Sequence, residues 1–129
     1  MRINLCSVMV EDQDKALKFY TEILGFTKKT DIAIGEYRWL TVTSPEGPEG
    51  MELVLEPMGF PPAREYQQAL YKAGIPITAF LSSDIRLEYK KLKARGVIFR
   101  SKPQTMGAIT SVLFEDTCGN LINLVQPTS

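Results

Sequence analysis

The chain has 129 residues, 44% of them hydrophobic, with 15 Lys+Arg balanced by 15 Asp+Glu and no histidine. That length suits one compact domain with a real core, and zero formal charge argues against phosphate backbones and anionic lipid as partners. The missing histidine removes the commonest metal ligand and the commonest general base near neutral pH.

Residues 2–10 form a short, mostly apolar run that ends at an acidic turn and predicts a strand. No apolar run reaches the roughly 20 residues a bilayer requires, and the opening MRINLCSVMVEDQDK lacks the long apolar region of a signal peptide. The chain is therefore expected to be cytoplasmic, with no membrane partner and no nucleic-acid partner. Its two cysteines, Cys6 and Cys118, are expected to be reduced thiols, too sparse for a disulfide scaffold.

Residues 12–24 carry helical periodicity, with Ala16, Phe19, Tyr20, Ile23 and Leu24 on one stripe, Asp12 as N-cap and Gly25 as stop signal. The Phe19–Tyr20 pair reads as core packing. A weaker strand is expected at 26–34. The alternating YRWLTVT of Tyr37–Thr43, the turn-dense SPEGPEG and the run MELVLEP predict a hairpin of two strands. A short helix is expected over 63–72, ending near Gly74.

The second half follows the same plan. Residues 75–81 read as a strand, Asp84 opens a helix that Gly96 closes, and 97–100, 108–115 and 121–125 read as three more strands, with DTCGN as a tight turn before the last. Asp84 follows Asp12 by 84 − 12 = 72 residues, Gly96 follows Gly25 by 71, and Gln126-Pro127 follows Glu56-Pro57 by 70. A repeated βαβββ unit is the sharpest signal in the chain, and two such units are able to place their sheets side by side around a cleft.

Three segments carry a resemblance. VEDQDKALKFYTEILGF, IPITAFLSSDIRLEYKKLKARGVIF and DTCGNLINLVQP are similar to the opening, the second-module opening and the closing hairpin of the glyoxalase/bleomycin-resistance/extradiol-dioxygenase (vicinal oxygen chelate) superfamily. The resemblance implies an α+β fold: two βαβββ modules, at about 1–57 and 75–129 with a connecting segment at 58–74, forming an open barrel with a central cleft. It also implies a homodimer. It does not choose a reaction, because the fold hosts unrelated activities.

Metal-using members carry a ligand near the first and last strand of each module. Seven residues before Asp12 stands Leu5, and seven before Asp84 stands Ile77; Asn123 replaces the glutamate after the Gly-Asn turn. Glu52 is the one position that retains a donor, unless a one-residue slip puts Leu53 there. Strand alternation favours Glu52, because Leu53 and Leu55 form one apolar face while Glu52, Val54 and Glu56 form the other. By the same parity Ile122 and Leu124 are packed, whereas Leu121, Asn123 and Val125 face the cleft. Ile3, Leu5, Ser7 and Met9 are expected there too, with Ile77, Ala79 and Leu81, while Cys6 packs with Val8 and Val10.

Leu5 and Ile77 offer a metal nothing, so no metal and no cofactor is expected, a divalent metal remaining the alternative. The expected ligand-binding residues are Leu5, Ser7, Arg38, Trp39, Glu52, Ile77, Ala79 and Asn123: apolar walls with a few polar groups. Trp39 reads either as a pocket wall or as core or dimer interface. Glu52 reads either as a functional carboxylate, the candidate catalytic base, or as a paired surface residue with Arg38 as its cation. Cys118, in the turn, is not expected to be a nucleophile.

Two functions follow. One is metal-independent binding of a small apolar or aromatic molecule, such as a toxin or antibiotic. The other is a lyase, isomerase or dioxygenase of the same superfamily, with Glu52 as base or with a metal. A degenerate dimerisation or regulatory module is a third reading.

Overall fold

A computed structural model of the chain describes residues 1–128. It divides within one helix into two compact units, Met1–Tyr66 and Gln67–Ser129. Across both, two four-stranded mixed sheets and three helices make an α+β architecture.

In the first unit, β1 (Leu5–Val10) leads to α1 (Gln13–Lys18), then β2 (Thr27–Ile34), β3 (Tyr37–Thr43), β4 (Glu52–Pro57) and the start of α2 (Pro61–Ala73). The sheet order is β1-β4-β3-β2, with β1 parallel to β4 and the other pairs antiparallel. Asp12 caps α1 as expected: its Oδ1 accepts from Lys15 N at 3.1 Å, satisfying an orphan donor. Past Lys18 the helix widens into one π-helical turn, Phe19–Ile23, in which Leu24 N donates to Phe19 O at 3.0 Å. Ala16, Phe19 and Tyr20 are buried there, so the aromatic pair packs in the core.

β1 starts at Leu5, later than the expected Arg2, and Cys6 corrects a further expectation. It shares the parity of Val8 and Val10, which are buried, yet it is exposed. Burial grows along the strand, and Cys6 lies at the end the core does not reach.

In the second unit the rest of α2 precedes β5 (Thr78–Leu81), α3 (Ile85–Ala94), β6 (Gln104–Met106), β7 (Ile109–Glu115) and β8 (Leu121–Pro127). The order β5-β8-β7-β6 repeats that of the first unit, and β5 is again parallel to β8. Asp84 caps α3 through Leu87 N at 3.2 Å, so the two caps hold the 72-residue offset.

The strand expected at 97–100 does not form. Phe99 makes one isolated bridge to Phe114, flanked by Arg100 N→Leu113 O (2.9 Å) and Glu115 N→Ile98 O (3.0 Å). Ladder pairing along β7 resumes only at β6, because Pro103 has no N–H to continue it. The segment serves the core instead: Phe99 packs between Tyr89 and Phe114, with ring centroids 4.6 and 5.9 Å away.

The closing turn is held by side chains. Asp116 Oδ1 accepts from Cys118 N (2.8 Å) and Asn120 N (3.1 Å), and its Oδ2 accepts from Asn120 Nδ2 (2.8 Å). Gln67 of α2 donates to Cys118 O (3.2 Å) and Asn120 Oδ1 (3.0 Å), docking that helix on the turn. Cys118 is 1% exposed and structural.

Candidate functional site

In the first unit, strand parity separates two faces. Val8, Val10, Leu40, Val42 and Leu55 are buried on the helix side. Here the β3–β4 ladder is short, with only Thr41↔Val54 and Val42↔Leu53 in register. Beyond it Gln13 of α1 takes over. It donates to Arg38 O (2.8 Å) and Leu55 O (2.9 Å) and accepts from Arg38 N (3.1 Å). A side-chain amide thus meets backbone groups that β4, ending in Pro57, does not.

The other face is open. Leu5, Ser7, Tyr37 and Trp39 are exposed there, as are Ile32 and Ile34 opposite Trp39 and Tyr37. Trp39 is 37% exposed, so it belongs to this face and not to the core of its unit. Tyr37 lies close against Gly59, where an added Cβ would stand 3.1 Å from the phenol oxygen.

Glu52 sits opposite Leu5 on this face. Its Oε1 accepts from Thr41 Oγ1 at 2.8 Å, and the same hydroxyl accepts from Thr30 N at 3.2 Å. The cation beside Glu52 is Lys29, with Nζ 3.9 Å from Oε2. A β-bulge brings it there. The register runs Lys28↔Val42 and then Thr30↔Thr41, so the extra residue turns both Lys29 and Thr30 toward the open face.

Arg38 corrects the expected Arg38–Glu52 pair. Adjacent strand residues point to opposite faces, so Arg38 cannot share the face of Trp39. Its Nε and Nη2 donate to Asp31 Oδ1 (3.0 Å) and Oδ2 (3.2 Å), and Nη1 donates to Asp14 of α1. The hydrogen bond from Arg38 holds the Asp31 carboxyl below its ordinary range, and Asp31 in turn raises the guanidinium pKa. Arg38 is therefore taken up in docking α1.

In the second unit, Ala79 and Leu113 flank Asn123 on the open face, and Ile77 N donates to Leu121 O at 3.0 Å one step earlier. Ala79 is exposed, while Ile77 and Asn123 are half-buried. Leu121 shares their parity but is 1% exposed, against expectation. Beside it, through Glu115, stands a cluster that sequence reasoning missed. Tyr71 Oη donates to Glu115 Oε1 (2.5 Å), Arg100 Nε lies 3.6 Å from Glu115 Oε2, and the Arg100 guanidinium stands 5.2 Å from the centre of the Tyr71 ring. Glu115 pairs with Leu121 in the ladder. The hydrogen bond to Glu115 raises the Tyr71 pKa, so the phenol keeps its proton. Three residues from α2, a loop and β7 share no local pattern that would announce them.

The registers also shift the expected ligand positions. The caps put Ser7 and Ala79 in correspondence at 79 − 7 = 72, and their partners across the parallel pairs are Val54 and Asn123. Asn123 thus corresponds to Val54, at 123 − 54 = 69, and Glu52 corresponds to Leu121. In the first unit Leu5 and Val54 carry no donor for a divalent ion, and the Glu52 carboxylate already has Thr41 and Lys29 beside it; in the second unit Asn123 offers a neutral amide. Among the described residues no three His, Cys, Asp or Glu side chains are grouped to hold a metal.

The comparisons agree with this architecture. Residues 2–124 match the model of the Glyoxalase/Bleomycin resistance protein/Dioxygenase superfamily. The protein YurT of Bacillus subtilis (strain 168) is 50% identical over 126 residues, covering 98% of this chain and 99% of the relative. The crystal structure of UcmS2 superposes with a TM-score of 0.83 at 33% identity, covering 100% of this chain and 98% of that one. That of TnmS3, an antibiotic binding protein from Streptomyces sp. CB03234, gives 0.75 at 29% identity, covering 98% and 96%. The chain belongs to the glyoxalase/bleomycin resistance protein/dioxygenase superfamily.

Proposed function

We propose that the protein binds a small, largely apolar or aromatic molecule without the help of a metal, as a sequestering protein for a toxin or antibiotic. The observation that carries this reading is the open face of the first sheet. Trp39, Tyr37, Ile32 and Ile34 are exposed on it beside a polar group made of Thr41, Glu52 and Lys29. Apolar walls with few fixed polar groups suit binding by burial and orientation. TnmS3, 29% identical, is described as an antibiotic binding protein, which supports the same class of ligand.

The enzyme reading relies on Glu52 as base or on a divalent metal. Two groups already engage that carboxylate, which favours a positioning role. We also propose a cytoplasmic location and a homodimer, the dimer being what the family resemblance implies; among the described residues no helix is long and apolar enough to cross a membrane. Light scattering on the purified chain tests the dimer.

Trp39 is the single tryptophan, so its fluorescence reports directly on this face. Titration with a panel of planar hydrophobic antibiotics is expected to give saturable, stoichiometric quenching with the ligand recovered unchanged. Recovery of a transformed product, with turnover abolished in Glu52→Gln, would establish the enzyme instead.

A further inference from the structure

We propose that Lys29 reads the polar end of the ligand, and that the group it reads is an ionised phenol or enol oxygen on a planar apolar molecule; this rests on the binding function proposed above. The bulge at Lys28/Thr30 supplies the first argument. Without it Lys29 and Thr30 would fall on opposite faces; with it both reach the open one. Bulges commonly re-aim a side chain in this way, at the cost of a ladder bond.

The second argument is which member of the ion pair a ligand can touch. The Glu52 side chain is 16% exposed, and its Oε1 already accepts from Thr41. The Lys29 side chain is 51% exposed. Its Nζ stands 3.9 Å from Glu52 Oε2, an ion-pair distance longer than a hydrogen bond, so its N–H groups remain available for an incoming oxygen. A cationic ligand would meet the ammonium first and be repelled, whereas an oxyanion gains a charge-assisted hydrogen bond.

The third argument is the apolar surface alongside. Trp39 lies two residues from Thr41 on the same face, roughly 7 Å along the strand, with Ile32 paired beside it. A ring resting on Trp39 therefore brings a substituent oxygen within reach of Lys29. Glu52 and Thr41 act as positioning residues that steady the ammonium.

The test titrates the full chain, by Trp39 fluorescence at about pH 7.5, with three probes: 2,4-dinitro-1-naphtholate, its uncharged methyl ether, and 1-naphthylmethylammonium. The naphtholate is expected to bind about tenfold more tightly than the ether, the worth of one hydrogen bond to a charged group. Lys29→Met should abolish that preference and Lys29→Arg should keep it. Unchanged melting temperatures would confirm that both variants fold. Equal binding of naphtholate and ether to the unmodified chain, survival of the preference in Lys29→Met, or preference for the ammonium would overturn the assignment while sparing the binding function. Failure of all three probes to bind would contradict both.

Discussion

The two units follow the same path, strand, helix and three strands, with the first strand parallel to the last, yet they place their polar side chains differently. In the first unit the polar groups of the open face, Lys29, Thr41 and Glu52, stand beside exposed aromatic residues. In the second, Tyr71, Arg100 and Glu115 engage one another beside the buried Leu121, and Asp116 locks the turn that follows. The first unit joins β3 to β4 through an exposed, glycine- and proline-rich loop instead, and relies on Gln13 to hold α1 in place. One backbone plan thus carries a face suited to a ligand in one copy and a set of anchoring contacts in the other.

If that division is right, the largest effect on stability belongs to the locked turn. Asp116 is 0% exposed and accepts three hydrogen bonds, so Asp116→Ala should cost about 3 kcal/mol, read as a lower urea midpoint. Gln13→Ala removes three bonds in the first unit, at a part-buried site that water can reach, and should cost about 2 kcal/mol. A larger loss from Gln13 than from Asp116 would reverse the assignment of the main anchor.

Tyr71→Phe should cost about 1 kcal/mol at neutral pH, the worth of one hydrogen bond. Its pH dependence sharpens the point. Glu115 raises the phenol's pKa, so the contribution is complete below the ordinary tyrosine range and is lost as pH rises through the raised value. The difference between Tyr71→Phe and the unmodified chain should therefore narrow in strong alkali. Thr117 offers the smallest effect and the opposite sign. It holds φ 63° in the turn, a region β-branched residues avoid, so Thr117→Asn should gain about 0.5 kcal/mol.

Most of this fold was legible before any coordinates. Asp12 and Asp84 announced both helices, and alternation placed Glu52, Ala79 and Asn123 on faces that the strand registers reproduce. What escaped has physical causes. Alternation has a period of two, so it excludes a slip of one residue and is blind to a slip of two; Val54, not Glu52, therefore stands where the repeat puts the counterpart of Asn123. The bulge that delivers Lys29 leaves no mark in the hydrophobic pattern. Arg38 was expected beside Glu52, but it lies on the opposite face of the sheet, where Asp31 and Asp14 take it up, and the 97–100 strand was misjudged because a proline three residues later stops the ladder.

The most direct test of the central claim compares ligand binding before and after metal removal. Protein stripped with a strong chelator and then titrated by Trp39 quenching should bind a planar hydrophobic ligand with the same affinity and stoichiometry as untreated protein, and added nickel, zinc, manganese or iron(II) should change neither. Loss of binding on chelation, restored by one equivalent of any of these ions, would contradict the account.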